Sequence, residues 1–190
     1  MKKFPLIITF FTIVCISFLS CIENEGEEYW EKYKDWREAN QLWLVEQALI
    51  KNADGSSFYE VLNPVWDKKS YVLIHYFNDR NLTKNNLSPL YTSTVDVKYI
   101  GYLYDGTPFD SSYLNIEPAD SIFRTKLSGV INGWTIALTD MHVGDSCEVL
   151  IPYQYAYGET GGYNLIKPYS ALKFRIKLVD IPGYEINVTQ

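Results

Sequence analysis

SGVINGWTIALTDMHVGDS, residues 128–146, is the stretch that decides the fold. It opens on the apolar pair Val130 and Ile131, turns at Asn132 and Gly133, and enters a short helix at Trp134. Trp134, Ala137, Leu138 and Met141 recur at helical spacing, so the helix carries one apolar stripe that must lie across a hydrophobic surface. Gly144 stops it, and Cys147 to Pro152 reads as a strand. A lone short helix set among alternating apolar and polar segments predicts an α+β fold. A curled antiparallel sheet wraps over the helix, with Trp134 as the floor of the hollow between them.

The flanking segments supply that sheet. In VDVKYIGYL, residues 95–103, Val95, Val97 and Tyr99 share one face, with Asp96 and Lys98 on the other. ALKFRIKLVDI, residues 171–181, alternates more cleanly: Leu172, Phe174, Ile176 and Leu178 point inward, while Lys173, Arg175 and Lys177 point out. The pattern predicts one wet face and one buried face. Two further strands, Phe58–Leu62 and Tyr71–Tyr76, are separated by Asn63, Pro64 and a polar turn, and Asp79–Pro89 is an Asn-rich loop. Upstream, residues 29–52 read as an N-terminal helix without Gly or Pro. Its broad apolar stripe of Tyr29, Tyr33, Trp36, Trp43 and Ile50 needs burial against the rest of the chain, a second copy, or a protein partner docking on helix 29–51 at a membrane. The sheet-and-helix domain is expected over residues 58–186.

Residues 1–20 carry Lys2 and Lys3 ahead of an apolar run from Leu6 to Leu19, the pattern of an export signal. The run is too short to span a bilayer comfortably. It ends at Phe18, Leu19, Ser20 and Cys21, which resembles a bacterial lipobox and makes Cys21 the expected lipidation site. An acidic tether, residues 21–28, follows; it serves as a surface-display signal or as a solvated linker. These features place the protein in the cell envelope, held on a membrane by a lipid anchor, with the outer membrane favoured. Cys147 is left without an internal disulfide partner, and its strand parity with Val149 and Ile151 makes it a buried core residue. His75 and His142 lack partners at ligand spacing, so no metal is expected. A net charge of −6 with no basic stripe argues against nucleic-acid binding.

Three segments then carry a resemblance: VINGW at 130–134, YDGTPFDSS at 104–112, and IPYQYAYGETGGYNLIKPYSALKF at 151–174. Their order and spacing are similar to the signature segments of FKBP-type peptidyl-prolyl cis-trans isomerases, over roughly residues 88–182. The resemblance implies a cofactor-free enzyme acting on proline-containing polypeptide clients, here the folding of exported proteins. It assigns Asp110, Tyr157 and the Ile131 backbone N–H to catalysis. Tyr99, Phe109, Val130, Trp134, Leu165 and Phe174 become substrate-binding walls. By composition alone these would be ordinary core residues. GETGG, residues 158–162, is no phosphate cradle, since it lacks the Lys-Ser/Thr ending.

The chain departs from the family at Lys167, where a second Pro is common, and at Leu165, where Ile is usual. Tyr113 to Leu127 does not align, which leaves open whether Phe123 lines the pocket. The alternative reading is a catalytically weak chaperone or interaction module on the same fold, a component of an envelope assembly such as gliding-motility machinery.

Overall fold

The computed structural model describes residues 25–163 and 165–183, so the expected export signal, Cys21 and the start of the tether lie outside the described residues. The chain divides into two compact units, residues 1–34 and 35–190. In the first, α1 (Glu25–Lys32) already includes Glu25 to Glu28, which were expected as tether. Its Tyr29 and Tyr33 rings stand 5.2 Å apart, and the Lys32 ammonium lies over both. One helix over 29–52 is therefore not found: the helical pattern is interrupted at Tyr33, and α2 (Lys34–Ala48) follows. The second helix stops short of Ile50 because Ile50 O accepts the Phe58 N–H and Lys51 bridges to Ser57, so a tight loop takes over the backbone groups a longer helix would use.

Among the described residues of the second unit, seven strands form one antiparallel sheet: β1 (Glu60–Leu62), β2 (Val72–Tyr76), β3 (Thr94–Leu103), β4 (Pro108–Ser111), β5 (Phe123–Lys126), β6 (Ser146–Ile151) and β7 (Leu172–Asp180). Their order is β1-β2-β6-β7-β3-β4, with β5 also on β3. The helix α3 (Asn132–Asp140) lies in the concavity, and Trp134, Ala137, Leu138 and Met141 are all buried. Gly133 sits so close to the sheet that a Cβ there would fall 2.3 Å from Ile151 Cγ2, which is why the first turn of the helix needs a glycine. Gly144 lies four residues beyond the helix, in a turn at φ +99°. The inward residues of β7, Leu172, Phe174, Ile176 and Leu178, face this core with Cys147, Val149 and Ile151 of β6.

The opposite face is not uniformly wet. Leu44 of α2 joins Tyr59, Leu73, Leu150 and Ala171 in a second apolar cluster, with Trp43 and Phe58 packed on it. The buried face of α2 is Arg37, Asn40 and Leu44, at i, i+3 and i+7, so the aromatic stripe read from the sequence lies off its centre. Trp36 and Trp43 are half-buried at the margins of that face, while Ile50 is exposed. Asp96, between the core residues Val95 and Val97, is also buried, because Arg124, opposite it on β5, pairs with both its carboxylate oxygens at 2.7 Å.

Candidate active site

The site exists because two strands share one edge of β3. The N-terminal half of β3 pairs with β5, where Val97 opposes Phe123, and its C-terminal half pairs with β4, where Gly101 opposes Asp110. Tyr99 falls at the gap between them, and its backbone N–H donates to Ser112 Oγ at 2.9 Å instead of to a strand. Phe109 and Asp110 thus arrive from one side and Phe123 from the other. The floor is Trp134, 4.9 Å from the Tyr99 ring and 5.3 Å from the Phe174 ring, both crossed nearly edge to face. The cavity so enclosed measures about 260 Å³, and Val130, Ile131 and Tyr157 complete its rim.

Gly101 is a requirement of this geometry. A Cβ there would come within 2.7 Å of Phe109 Cζ and 2.8 Å of Phe174 Cε1. The missing side chain lets the two rings meet over the strand, 5.5 Å apart and nearly perpendicular.

The polar groups are few and placed. Tyr99 donates its hydroxyl hydrogen to Asp110 Oδ2 at 2.6 Å, and the Ser111 N–H donates to Oδ1 at 2.8 Å, so each carboxylate oxygen is held. Burial, reinforced by the hydrogen bond to Asp110, pushes the Tyr99 phenol far above its usual range. Burial also raises Tyr157, with the Asp110 charge adding to it. Both hydroxyls therefore stay protonated through neutral pH, and Tyr157 can donate a hydrogen bond into the cavity. The Ile131 N–H has no acceptor among the described residues and lies at the start of α3, where the first amides lack intrahelical partners. Trp134 Nε1 is likewise buried without a hydrogen-bond partner among them.

Tyr157 is carried by the loop between β6 and β7. A 3₁₀ turn (Tyr153–Tyr155) leads to Gly158, Gly161 and Gly162, and the Tyr157 ring packs so closely on Gly162 that a Cβ there would touch it at 3.0 Å. Gly162 N–H donates to Ile166 O, which turns the Ile166 side chain into the core and leaves Leu165 on the outside, half exposed. Leu165, expected to line the pocket, is therefore not part of its wall. The downstream end of the loop is fastened to α2: Ala171 N–H donates to Asn40 Oδ1 at 2.8 Å, and Trp36 Nε1 donates to Ser170 Oγ at 3.1 Å.

The structure thus brings together Tyr99, Phe109, Asp110, Val130, Ile131, Trp134, Tyr157 and Phe174, and adds Phe123, which the sequence left open. Thr125 and Gly129 line the cavity unanticipated, and so does the structural need for Gly101 behind it. A glycine inside an otherwise clean strand pattern was the available signal for the last.

Comparison with known proteins agrees with this geometry. Residues 87–179 match the model of the FKBP-type peptidyl-prolyl cis-trans isomerase family. The FKBP-type 22 kDa peptidyl-prolyl cis-trans isomerase of Escherichia coli is 46% identical over 93 residues, 49% of this chain and 43% of that protein. The Macrophage infectivity potentiator of Trypanosoma cruzi is 45% identical over 94 residues, 50% of this chain and 46% of that protein. The chain thus spans less than half the length of these relatives. Among solved structures, a peptidyl-prolyl cis-trans isomerase from Pseudomonas syringae pv. tomato superposes with a TM-score of 0.59 at 26% identity, over 78% of this chain and 95% of that one.

Proposed function

Since residues 87–179 belong to the FKBP-type peptidyl-prolyl cis-trans isomerase family, we propose that the chain catalyses cis-trans isomerisation of prolyl bonds in polypeptide clients. The observation that carries this reading is the aromatic cavity with Trp134 as floor and the Tyr99–Asp110 pair at its wall. Rotation about an amide faces a barrier of about 18–20 kcal/mol, because the nitrogen lone pair is delocalised into the carbonyl. Twisting the bond removes that delocalisation and lowers the charge on the carbonyl oxygen. The twisted form is less polar than either planar isomer, so an apolar cavity holds it better than water does, and this is binding in favour of the transition state. An acceleration on the order of 10⁴ to 10⁶ corresponds to about 5–8 kcal/mol of such preference.

The chain's groups divide that task. Trp134, Phe174 and Phe123 enclose the proline ring. The unpartnered Ile131 N–H and the Tyr157 hydroxyl hold substrate carbonyls and so keep the backbone from following the rotation. Asp110 positions Tyr99 and, with it, the mouth of the cavity. No proton transfer is needed, and no cofactor.

The test is a protease-free isomerisation assay on a proline-limited refolding protein, whose uncatalysed step takes roughly tens to hundreds of seconds. Acceleration by the wild type that falls in Trp134→Ala, Asp110→Ala and Tyr157→Phe, with the fold retained, is expected. No acceleration by a folded wild-type chain overturns the reading.

We further propose that the protein is a lipid-anchored envelope protein, outer membrane favoured, assisting exported clients. Support comes from Lys2 and Lys3, the apolar run behind them, and the Ser20–Cys21 junction. Among the described residues no helix is long and apolar enough to cross a membrane. Metabolic labelling with a palmitate analogue should mark the protein and be lost in Cys21→Ala; equal labelling of both would exclude this anchor.

A further inference from the structure

A second cavity, of about 440 Å³, adjoins the first and has no part in the chemistry above. Two exposed aromatic side chains dominate it: Trp66 (58% exposed) from the loop between β1 and β2, and Tyr91 (57%) from the segment leading into β3. Leaving two such rings in water sacrifices the burial that ordinarily places them in a core, and Trp and Tyr are the residues on which polypeptide-binding surfaces concentrate their affinity.

The two cavities share the first turn of α3 as a wall. Val130, Ile131 and Trp134 face the isomerase cavity, whereas Asn132, Thr135 and Ile136, at i, i+3 and i+4, face the second. The loops behind the two cavities are also tied together. Tyr155, two residues before Tyr157, donates its hydroxyl to Lys69 O at 3.2 Å and packs against the Tyr71 ring, which ties the loop carrying Trp66 to the loop carrying Tyr157. That loop is itself ordered by Asp67, whose carboxylate accepts from Ser70 Oγ at 2.6 Å and Lys69 N at 2.9 Å. Trp66 is thus held next to an ordered turn.

We propose that this cavity is a second binding site for the same client polypeptide, taking an aromatic or large aliphatic side chain of the segment that flanks the proline. The proposal rests on the isomerase reading of the first cavity. The occupant is argued from continuity: a chain whose carbonyl meets the Ile131 N–H passes Asn132 next. The cavities lie on opposite sides of one helical turn, about 10–12 Å with side chains, which an extended chain covers in about three or four residues. Asn132 is exposed and lines the second cavity. The volume falls in the range of small ligand pockets and suits one large side chain with its neighbouring backbone.

The experiment uses the full-length protein and fluorescently labelled peptides with a single proline, carrying a Phe or a Ser three or four residues from it, on each side in turn. Anisotropy gives Kd, and turnover of a short tetrapeptide that reaches only the first cavity is measured in parallel. On one side of the proline the Phe peptide should bind wild type about tenfold more tightly than the Ser peptide, the discrimination typical of one well-filled apolar pocket. That preference should vanish in Trp66→Ala and Tyr91→Ala, while tetrapeptide turnover stays at the wild-type level. A wild type indifferent to Phe, a preference that survives both substitutions, or an equal fall in tetrapeptide turnover overturns the second site. Absent tetrapeptide turnover in the wild type overturns the isomerase reading alone, because the Phe preference and its loss in the variants are read by binding.

Discussion

The two faces of the central strands β6 and β7 solve opposite problems. On the concave face Val149 opposes Phe174 and Cys147 opposes Ile176, and the neighbouring rings of Tyr99 and Trp134 meet edge to face around a gap left unfilled. On the convex face the next pair in register is Glu148 and Arg175, joined at 2.9 Å, with Tyr59 donating to Glu148 at 2.5 Å. The ionised partner there sits beside an apolar patch that α2 covers. The concave face keeps a cavity with one carboxylate, Asp110, held at its wall; the convex face carries an ion pair whose carboxylate is satisfied, beside an apolar patch on which α2 packs. A period of two in the strand places both on one ribbon, so shape and polarity are set independently for each side.

Substitutions can break this contrast, and the largest effect belongs to the floor. Trp134→Ala removes the side chain on which the concave rings converge, and about 3–5 kcal/mol of stability should go with it, together with isomerisation. Urea unfolding with an unchanged slope and a lower midpoint would report the first loss, and refolding assays the second.

On the convex side Asn40→Leu keeps the branching of the side chain but orphans the buried Ala171 N–H, at about 1–3 kcal/mol. Because that bond fastens the end of the loop carrying Tyr157, amide exchange in residues 157–171 should quicken more than in β6. Uniform acceleration across the domain would refute the tie.

Glu148→Gln sharpens the electrostatic half of the comparison. Burial alone would raise the Glu148 carboxyl, but hydrogen bonds from Tyr59 and Arg175 outweigh it and hold the carboxyl below its usual value. A lowered folded-state value means that the stabilisation is complete above the unfolded value, near 4.3, and disappears as pH falls through the folded value. Wild type should exceed the variant by about 1 kcal/mol at neutral pH, and the two should converge on acidification below pH ~4. A gap independent of pH would place the effect in packing instead.

The smallest effect on stability is expected at the rim. Tyr157 is 40% exposed, and no protein acceptor for its hydroxyl is found among the described residues, so Tyr157→Phe should shift stability by less than about 0.5 kcal/mol. Its isomerisation rate should nonetheless fall about tenfold, the loss of one hydrogen bond made in the transition state. An unaltered rate would remove Tyr157 from the mechanism.

Most of the cavity was legible beforehand, in part from regular elements and, for Phe109, Asp110, Val130, Ile131 and Tyr157, only from the resemblance of the segments that carry them. Alternation pointed Tyr99 and Phe174 inward, and helical spacing did the same for Trp134. The readings that failed lie where a local tie overrides the period. Leu165 turned outward because Gly162 donates to the carbonyl of Ile166, a loop hydrogen bond with no periodic signature. Asp96 keeps to the face opposite Val95 and Val97 but is covered there, because Arg124 pairs with it from the neighbouring strand. The aromatic stripe over residues 29–52 gave way to a buried face centred on Arg37, Asn40 and Leu44, because the docking partner, and not the helix itself, chooses which stripe is covered.

The amino-acid order by itself determined the strands β1, β2, β3, β6 and β7, the inward side of β3, β6 and β7, and the short helix with a tryptophan at its start, since these follow from period and local turn chemistry. Only the tertiary structure decided that β4 and β5 share one edge of β3 and so open a hollow at Tyr99, that Phe123 belongs to its wall, and that Trp66 and Tyr91 meet over a second cavity beside it. Those are juxtapositions of residues far apart in the chain, and they depend on which surfaces bury the most area together, a quantity that no single segment contains.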